Sequence, residues 1–227
     1  MNQGADDRSG GEPPREPKGP ELLVCALPAE LGPFADDLEQ VGEHDWAGEL
    51  GGRPWHAAIV GVGKVSAAAA TAQRIERLAP SGLTMVGVCG GLDWRTRPGD
   101  LVHCTRAVQA DLALRSEREV EPDPDRTGAL AAAAGSRPAW FLTADRPALS
   151  PWRRLRLARA YGQGSGPIAD METAAVAWVA RRARLPWCAL RAVSDGLGLG
   201  RKASFRANFK AQAGRAAEIA RALAESP

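Results

Sequence analysis

Three carboxylates stand at places where the chain could do chemistry. Asp195 follows the apolar run Trp187-Cys188-Ala189-Leu190-Arg191-Ala192-Val193 and precedes Gly196-Leu197-Gly198-Leu199-Gly200. Burial at a strand end raises a carboxyl pKa, which suits a general acid; a capping role is the plainer alternative. Glu172 lies in Asp170-Met171-Glu172-Thr173-Ala174-Ala175-Val176-Ala177, where Ala, Val and Trp fill the next two turns. A lone charge there is costly, so a polar partner such as a ligand hydroxyl is expected. A first-turn Glu favoured by the helix dipole is the competing reading. Glu30 follows the first apolar run, where the dipole again offers a structural reason for an acid.

Other chemistries find less support. Gly61-Val62-Gly63-Lys64 lacks both the Walker spacing and the dinucleotide G-x-G-x-x-G. His44, His56 and His103 do not cluster, so no metal site is expected. Ser194 has no G-x-S-x-G context. Cys25, Cys89, Cys104 and Cys188 are widely spaced in apolar stretches and read as reduced core thiols of a cytosolic protein.

The elements that must position these residues are legible in outline. The 227 residues are 44% hydrophobic and 25% charged, ordinary globular usage for one large domain. No apolar run approaches the roughly 18 residues of a membrane span, and no signal peptide is expected. Residues 1–20 carry four Gly and four Pro and read as a disordered tail before a catalytic domain over 21–227. Strands are expected at 22–26, 55–60, 83–89, 101–105, 140–143 and 186–193. Helices are expected from Pro28 to about Glu39, after Lys64, and over 152–161, 170–183 and 203–225. Residues 115–138 resist assignment. Alternating strands and helices give an α/β class with a mixed or mostly parallel sheet, whose ligands sit at strand ends. Residues 151–227 hold 14 Lys+Arg against 5 Asp+Glu, yet with few aromatics between them; solvated helix faces explain this better than nucleic-acid binding.

Taken in order, five segments resemble the nucleoside phosphorylase/nucleosidase superfamily, most of all its 5'-methylthioadenosine/S-adenosylhomocysteine nucleosidase branch. They are Cys25-Ala26-Leu27-Pro28-Ala29-Glu30; Gly61-Val62-Gly63-Lys64-Val65; Gly87-Val88-Cys89-Gly90-Gly91-Leu92 with Gly99-Asp100; Asp170 to Ala177; and Arg191-Ala192-Val193-Ser194-Asp195. The resemblance implies a single-domain three-layer α/β sandwich around a twisted mixed sheet. It also implies hydrolysis of the N-glycosidic bond of an adenine nucleoside altered at its 5' position, such as methylthioadenosine or S-adenosylhomocysteine. Asp195 would protonate N7 of the leaving purine, with Ser194 orienting it. Glu30 would handle the attacking water. Glu172 would hold the ribose hydroxyls and Met171 pack on the sugar, with Cys89 and Gly90 also lining the substrate. No cofactor is implied, and a homodimer is.

The chain departs from the pattern in places. The acids of the first motif reduce to Glu30, Cys89 replaces a serine, and Thr143-Ala144-Asp145-Arg146-Pro147-Ala148-Leu149-Ser150 replaces a Phe-bearing loop. That last segment looks more like the hopanoid-associated phosphorylase-like group, which would make an adenosyl-hopanoid the substrate. A phosphate-dependent phosphorylase, a futalosine hydrolase and a non-catalytic nucleoside-binding protein are the alternatives.

Overall fold

A computed structural model describes residues 19–114, 118–148, 150–161, 166–196 and 201–226. Residues 1–18 of the expected tail, 162–165 of the expected loop and the Leu197–Gly200 run after Asp195 lie outside the described residues.

The sheet is built around β1 (Glu21–Cys25) and β5 (Gly82–Gly91), which run parallel. Alternate residues of β1 enter different cores. Leu22 and Val24 face one helical layer and Leu23 and Cys25 the other, all fully buried. Such a strand must be apolar where it is buried, as Leu22 to Cys25 are, while Glu21 at its start pairs with Arg126. On one side β1 pairs in parallel with β4 (Arg53–Ile59). Antiparallel β3 (Asp45–Leu50) and β2 (Glu39–Gly42) extend the sheet outward from β4.

On the other side the sheet closes on itself. β5 pairs in parallel with β10 (Trp187–Asp195), and β10 runs antiparallel to β6 (Leu101–Gln109). β6 is parallel to β8 (Arg137–Thr143), and β8 to the short β9 (Ile168–Asp170). β9 returns to the end of β5 through Gly90 and Gly91. The expected twisted mixed sheet is thus present, and five of its strands form a ring. The short β7 (Glu119–Val120) pairs with β6.

Helices cover both faces. α2 (Lys64–Leu78) packs with α5 (Thr173–Arg182) over one core. α6 (Arg201–Glu225) lies with α1 (Pro28–Leu31) over the other. Ala213, Ala216, Ala217, Ala220 and Ala224 make the buried stripe of α6. Their helical spacing and small side chains let the helix approach the sheet closely. Among the described residues no helix is long and apolar enough to cross a membrane.

Two expectations need correction. The helix from Pro28 to Glu39 is only one turn of α-helix. Pro33 lacks an N–H, the chain tightens to a 3-10 turn over Gly32–Ala35, and Glu39 begins β2. The helix expected from Asp170 starts at Thr173, because Asp170 ends β9. The unassigned stretch holds β7 and α3 (Pro124–Ala134), whose Asp123 cap accepts from the Arg126 N–H at 2.9 Å. α4 (Pro151–Tyr161) is where the sequence predicts it.

Gly87 shows how closely the strand ends pack. Its φ is +150°, and an added Cβ would strike Arg191 Nη1 and the Glu30 carboxylate. Gly87→Ala should therefore destabilise the protein by about 3 kcal/mol or more in denaturant unfolding. Gly128→Ala, in α3 with open space around it, should be neutral or stabilising by about 1 kcal/mol.

Candidate active site

β1, β5 and β10 are parallel, so their C-terminal ends lie together, where α/β folds bind ligands. A cavity of about 450 Å3 opens there. All seven residues named from the sequence line it: Glu30, Cys89, Gly90, Met171, Glu172, Ser194 and Asp195.

Glu30 follows the end of β1 and is 3% exposed. Its Oε2 accepts the backbone N–H groups of Ala26 and Leu27 at 2.9 and 3.0 Å. Its Oε1 accepts that of Val88 at 2.9 Å. The acid thus caps its own helix turn, as the structural reading expects, and also faces the cavity. Burial pushes its carboxyl up, against the opposing pull of Arg191 and the three N–H donors.

Glu172 occupies the N-cap position of α5, 6% exposed. Its partner inside the protein is a backbone group: Gly63 N–H donates to Oε1 at 2.9 Å. Gly63 has φ +90°, a conformation open to glycine, and this directs the loop's N–H at the carboxylate. Burial, then the neighbouring Asp170 charge, pushes Glu172 up to about 7. Arg191 lies 3.9 Å from Oε2 and opposes the shift.

Ser194 and Asp195 are consecutive in a strand, where side chains ordinarily alternate between faces. Here the pairing of β10 with β5 slips between Val193 and Asp195, and this irregularity brings both side chains to one cavity. Ser194 Oγ lies 3.1 Å from the Cys89 carbonyl and 3.0 Å from Asp195 Oδ1, and can donate to either acceptor. Cys89 is 4% exposed and burial pushes its thiol well up, so it is a poor nucleophile or redox centre.

Sequence reasoning missed two arginines. Arg154 of α4, 2% exposed, forms an ion pair with Asp195 Oδ2. Its Nη1 donates to the Gly91 and Gly196 carbonyls at 2.9 and 2.8 Å, and Nε to the Ala148 carbonyl. In sequence it is one of four arginines in eleven residues; nothing marked it as the one turned inward. Arg191 is wholly buried. Its Nη2 contacts Asp170 Oδ2 at 3.2 Å and Thr173 Oγ1 at 2.9 Å, and its Nη1 donates to the Val86 carbonyl at 2.8 Å. Burial disfavours its charge, but Asp170, Glu30 and Glu172 more than offset this and raise its pKa. An arginine inside an apolar strand was the available signal.

Among the described residues no three His, Cys, Asp or Glu side chains are grouped to hold a metal. His56 instead pairs with Asp45 at 2.7 Å, and His103 lies 2.9 Å from Ser136 Oγ.

The raised carboxyl of Glu172 sets a sign for stability. A group whose folded pKa exceeds its unfolded value stabilises at low pH and loses that contribution as pH rises through the folded value. For Glu172 the window runs from about 4.5 to about 7. Glu172→Gln keeps the acceptor for Gly63. It should raise stability at pH 8 by on the order of 2 kcal/mol and change it little at pH 4, measured by denaturant unfolding. Arg154→Met leaves Asp195 buried beside Ser194 without its cation; this should cost about 3–5 kcal/mol in the same measurement.

Comparison with known proteins agrees with this geometry. The phosphorylase superfamily model matches residues 22–226. The 5'-methylthioadenosine/S-adenosylhomocysteine nucleosidases of Mycobacterium bovis and Mycobacterium tuberculosis are each 26% identical over 220 residues, covering 78% of this chain and 85% of theirs. The Neisseria meningitidis nucleosidase, solved with methylthio-immucillin-A, superposes with TM-score 0.83 and 23% identity, covering 91% of this chain and 99% of that one. Helicobacter pylori futalosine hydrolase gives 0.81 and 20%, covering 89% and 96%. At such identities the structural likeness is one of fold. The family match spans every strand end that contributes to the cavity, and the chain belongs to the phosphorylase superfamily.

Proposed function

We propose that the protein hydrolyses the N-glycosidic bond of a purine nucleoside, adenine being the favoured base, with a modified 5' position. The observation that carries this is the convergence of Glu30, Glu172 and Asp195 on one cavity from three separate elements. The names of the mycobacterial relatives support the same chemistry.

Glycosidic cleavage builds positive charge on the sugar and negative charge on the leaving base. Carboxylates beside the sugar and an acid beside the base answer both demands. In this reading Asp195, held by Ser194 and Arg154, takes a proton from water and passes it to N7 as the base leaves. Glu172 accepts the ribose hydroxyls, and Met171 packs on the sugar. Glu30 orients water and takes its proton.

Water fits this cavity better than phosphate. Among the described residues its lining holds Glu30 and Glu172 and a single arginine, Arg154, which is bound to Asp195 and three carbonyls. A phosphate dianion beside Glu30 would meet a like charge with no free cation among the described lining residues. The sequence expectations of a catalytic domain from residue 21, a homodimer and a cytoplasmic place belong to the same reading. Trp94, 81% exposed, supports a contact with a second copy.

The test is purine release from methylthioadenosine, S-adenosylhomocysteine, adenosine and inosine. Asp195→Asn and Glu30→Gln should each lower kcat at least about a hundredfold while nucleoside binding persists in calorimetry. Near-normal turnover in Asp195→Asn removes the acid from the mechanism. Binding without turnover by the unsubstituted protein identifies a nucleoside-binding protein instead.

A further inference from the structure

Helix α4 has two unlike faces. Its inner face carries Arg154 to the Asp195 carboxylate. Its outer face carries Trp152, Leu155, Arg156 and Arg159, a spacing of three and four that sets them on one stripe. All four are exposed, Trp152 at 80% and Leu155 at 39%. The helix holds four arginines and no acid. Among the described residues, no ion pair engages Arg153, Arg156, Arg159 or the adjacent Arg146.

Beside this stripe lies a groove of about 1050 Å3, walled by Arg118, Arg146, Arg153, Arg156, Trp152 and Tyr161. Among the described residues its two acids already have cations: Asp111 pairs with Lys64 at 2.6 Å and Glu119 with Arg106 at 3.0 Å. The net surplus of the groove is therefore positive.

We propose that the outer face of α4, with Arg146, docks on an anionic lipid surface. Arginines attract phosphate headgroups, and a Trp with a Leu beside it enters the interfacial layer. The exposed Leu155 distinguishes this occupant from nucleic acid, which offers it nothing to bury against. A second copy is disfavoured, since a two-fold contact through this face would set arginines against arginines with no acid on the helix between them. The same segment walls the substrate cavity through Pro147, Ala148 and Arg154, so docking would bring that cavity close to the lipid surface. The proposal is independent of the reaction assigned above.

The experiment is co-sedimentation of the full chain with phosphatidylcholine vesicles, with and without phosphatidylglycerol, across a salt series. Binding should require phosphatidylglycerol and weaken with salt. Arg153→Glu/Arg156→Glu should reduce partitioning at least about tenfold. Trp152→Ala, a milder change, should weaken it severalfold, and both variants should keep the turnover of the unsubstituted protein on soluble nucleosides. No binding to phosphatidylglycerol vesicles, or binding indifferent to these substitutions, overturns the proposal. So does tighter binding to a single-stranded oligonucleotide that depends on the same residues.

Discussion

Charge balance around the buried guanidinium of Arg191 is the constraint on which the site depends. A cation with no exposed surface is tolerable only among anions and hydrogen-bond acceptors. Asp170 contacts it directly, Glu172 lies 3.9 Å away, and Glu30 contributes through the field. These acids come from β9, the cap of α5 and the turn after β1. The arginine thus ties the strand ends of the cavity into one electrostatic unit. The unit is not neutral among its named members: three acids face one guanidinium. Burial is what pushes Glu30 and Glu172 up although a cation sits among them, and at Glu172 the excess of negative charge adds to it. That excess also gives the cavity a field suited to a sugar that becomes positive, and hostile to an anionic nucleophile.

A second, smaller unit surrounds Asp195, at the end of the cavity that the proposed reaction gives to the base. There the slipped register of β10 places Ser194 beside Asp195, and Arg154 crosses from α4 to close the pair. Because Arg154 also holds the Gly91, Gly196 and Ala148 carbonyls, it joins β5, β10 and the segment before α4. α4 therefore couples two surfaces, its inner arginine to the reaction centre and its outer arginines to the exterior. Helix, loop and strand end share a single wall.

Much of this was legible in the sequence because period and punctuation pointed the same way. The largely apolar β1, β5 and β10 signalled strands covered on both faces, and their glycine-rich or acidic endings marked the site. All seven residues named in the sequence share the cavity, Met171, Cys89, Gly90 and Ser194 having been named through the family resemblance. What escaped were features set by tertiary contact. No local pattern separates Arg154 from Arg153 or Arg156; only the packing of α4 turns it inward. The ring closure depends on β9, three residues too short to show a period. The helix expected through Glu39 failed because Gly32-Pro33 ends it after one turn, a stop signal outweighed in the sequence by the polar residues beyond it. α3 was hidden by the polar, Pro- and Gly-bearing residues around its alanine run, although Asp123-Pro124 is a sound cap and first-turn pair.

The choice of nucleophile tests this electrostatic picture most directly. The measurement is purine release from methylthioadenosine in phosphate-free buffer, with the sugar product identified, and again with inorganic phosphate added. A cavity dominated by buried carboxylates should release the base equally in both, with the free sugar as product. Strict dependence on phosphate, with a sugar 1-phosphate as product, would contradict it. An anion would then be accommodated beside Glu30, and the roles given to Glu30 and to the surplus negative charge would fall together.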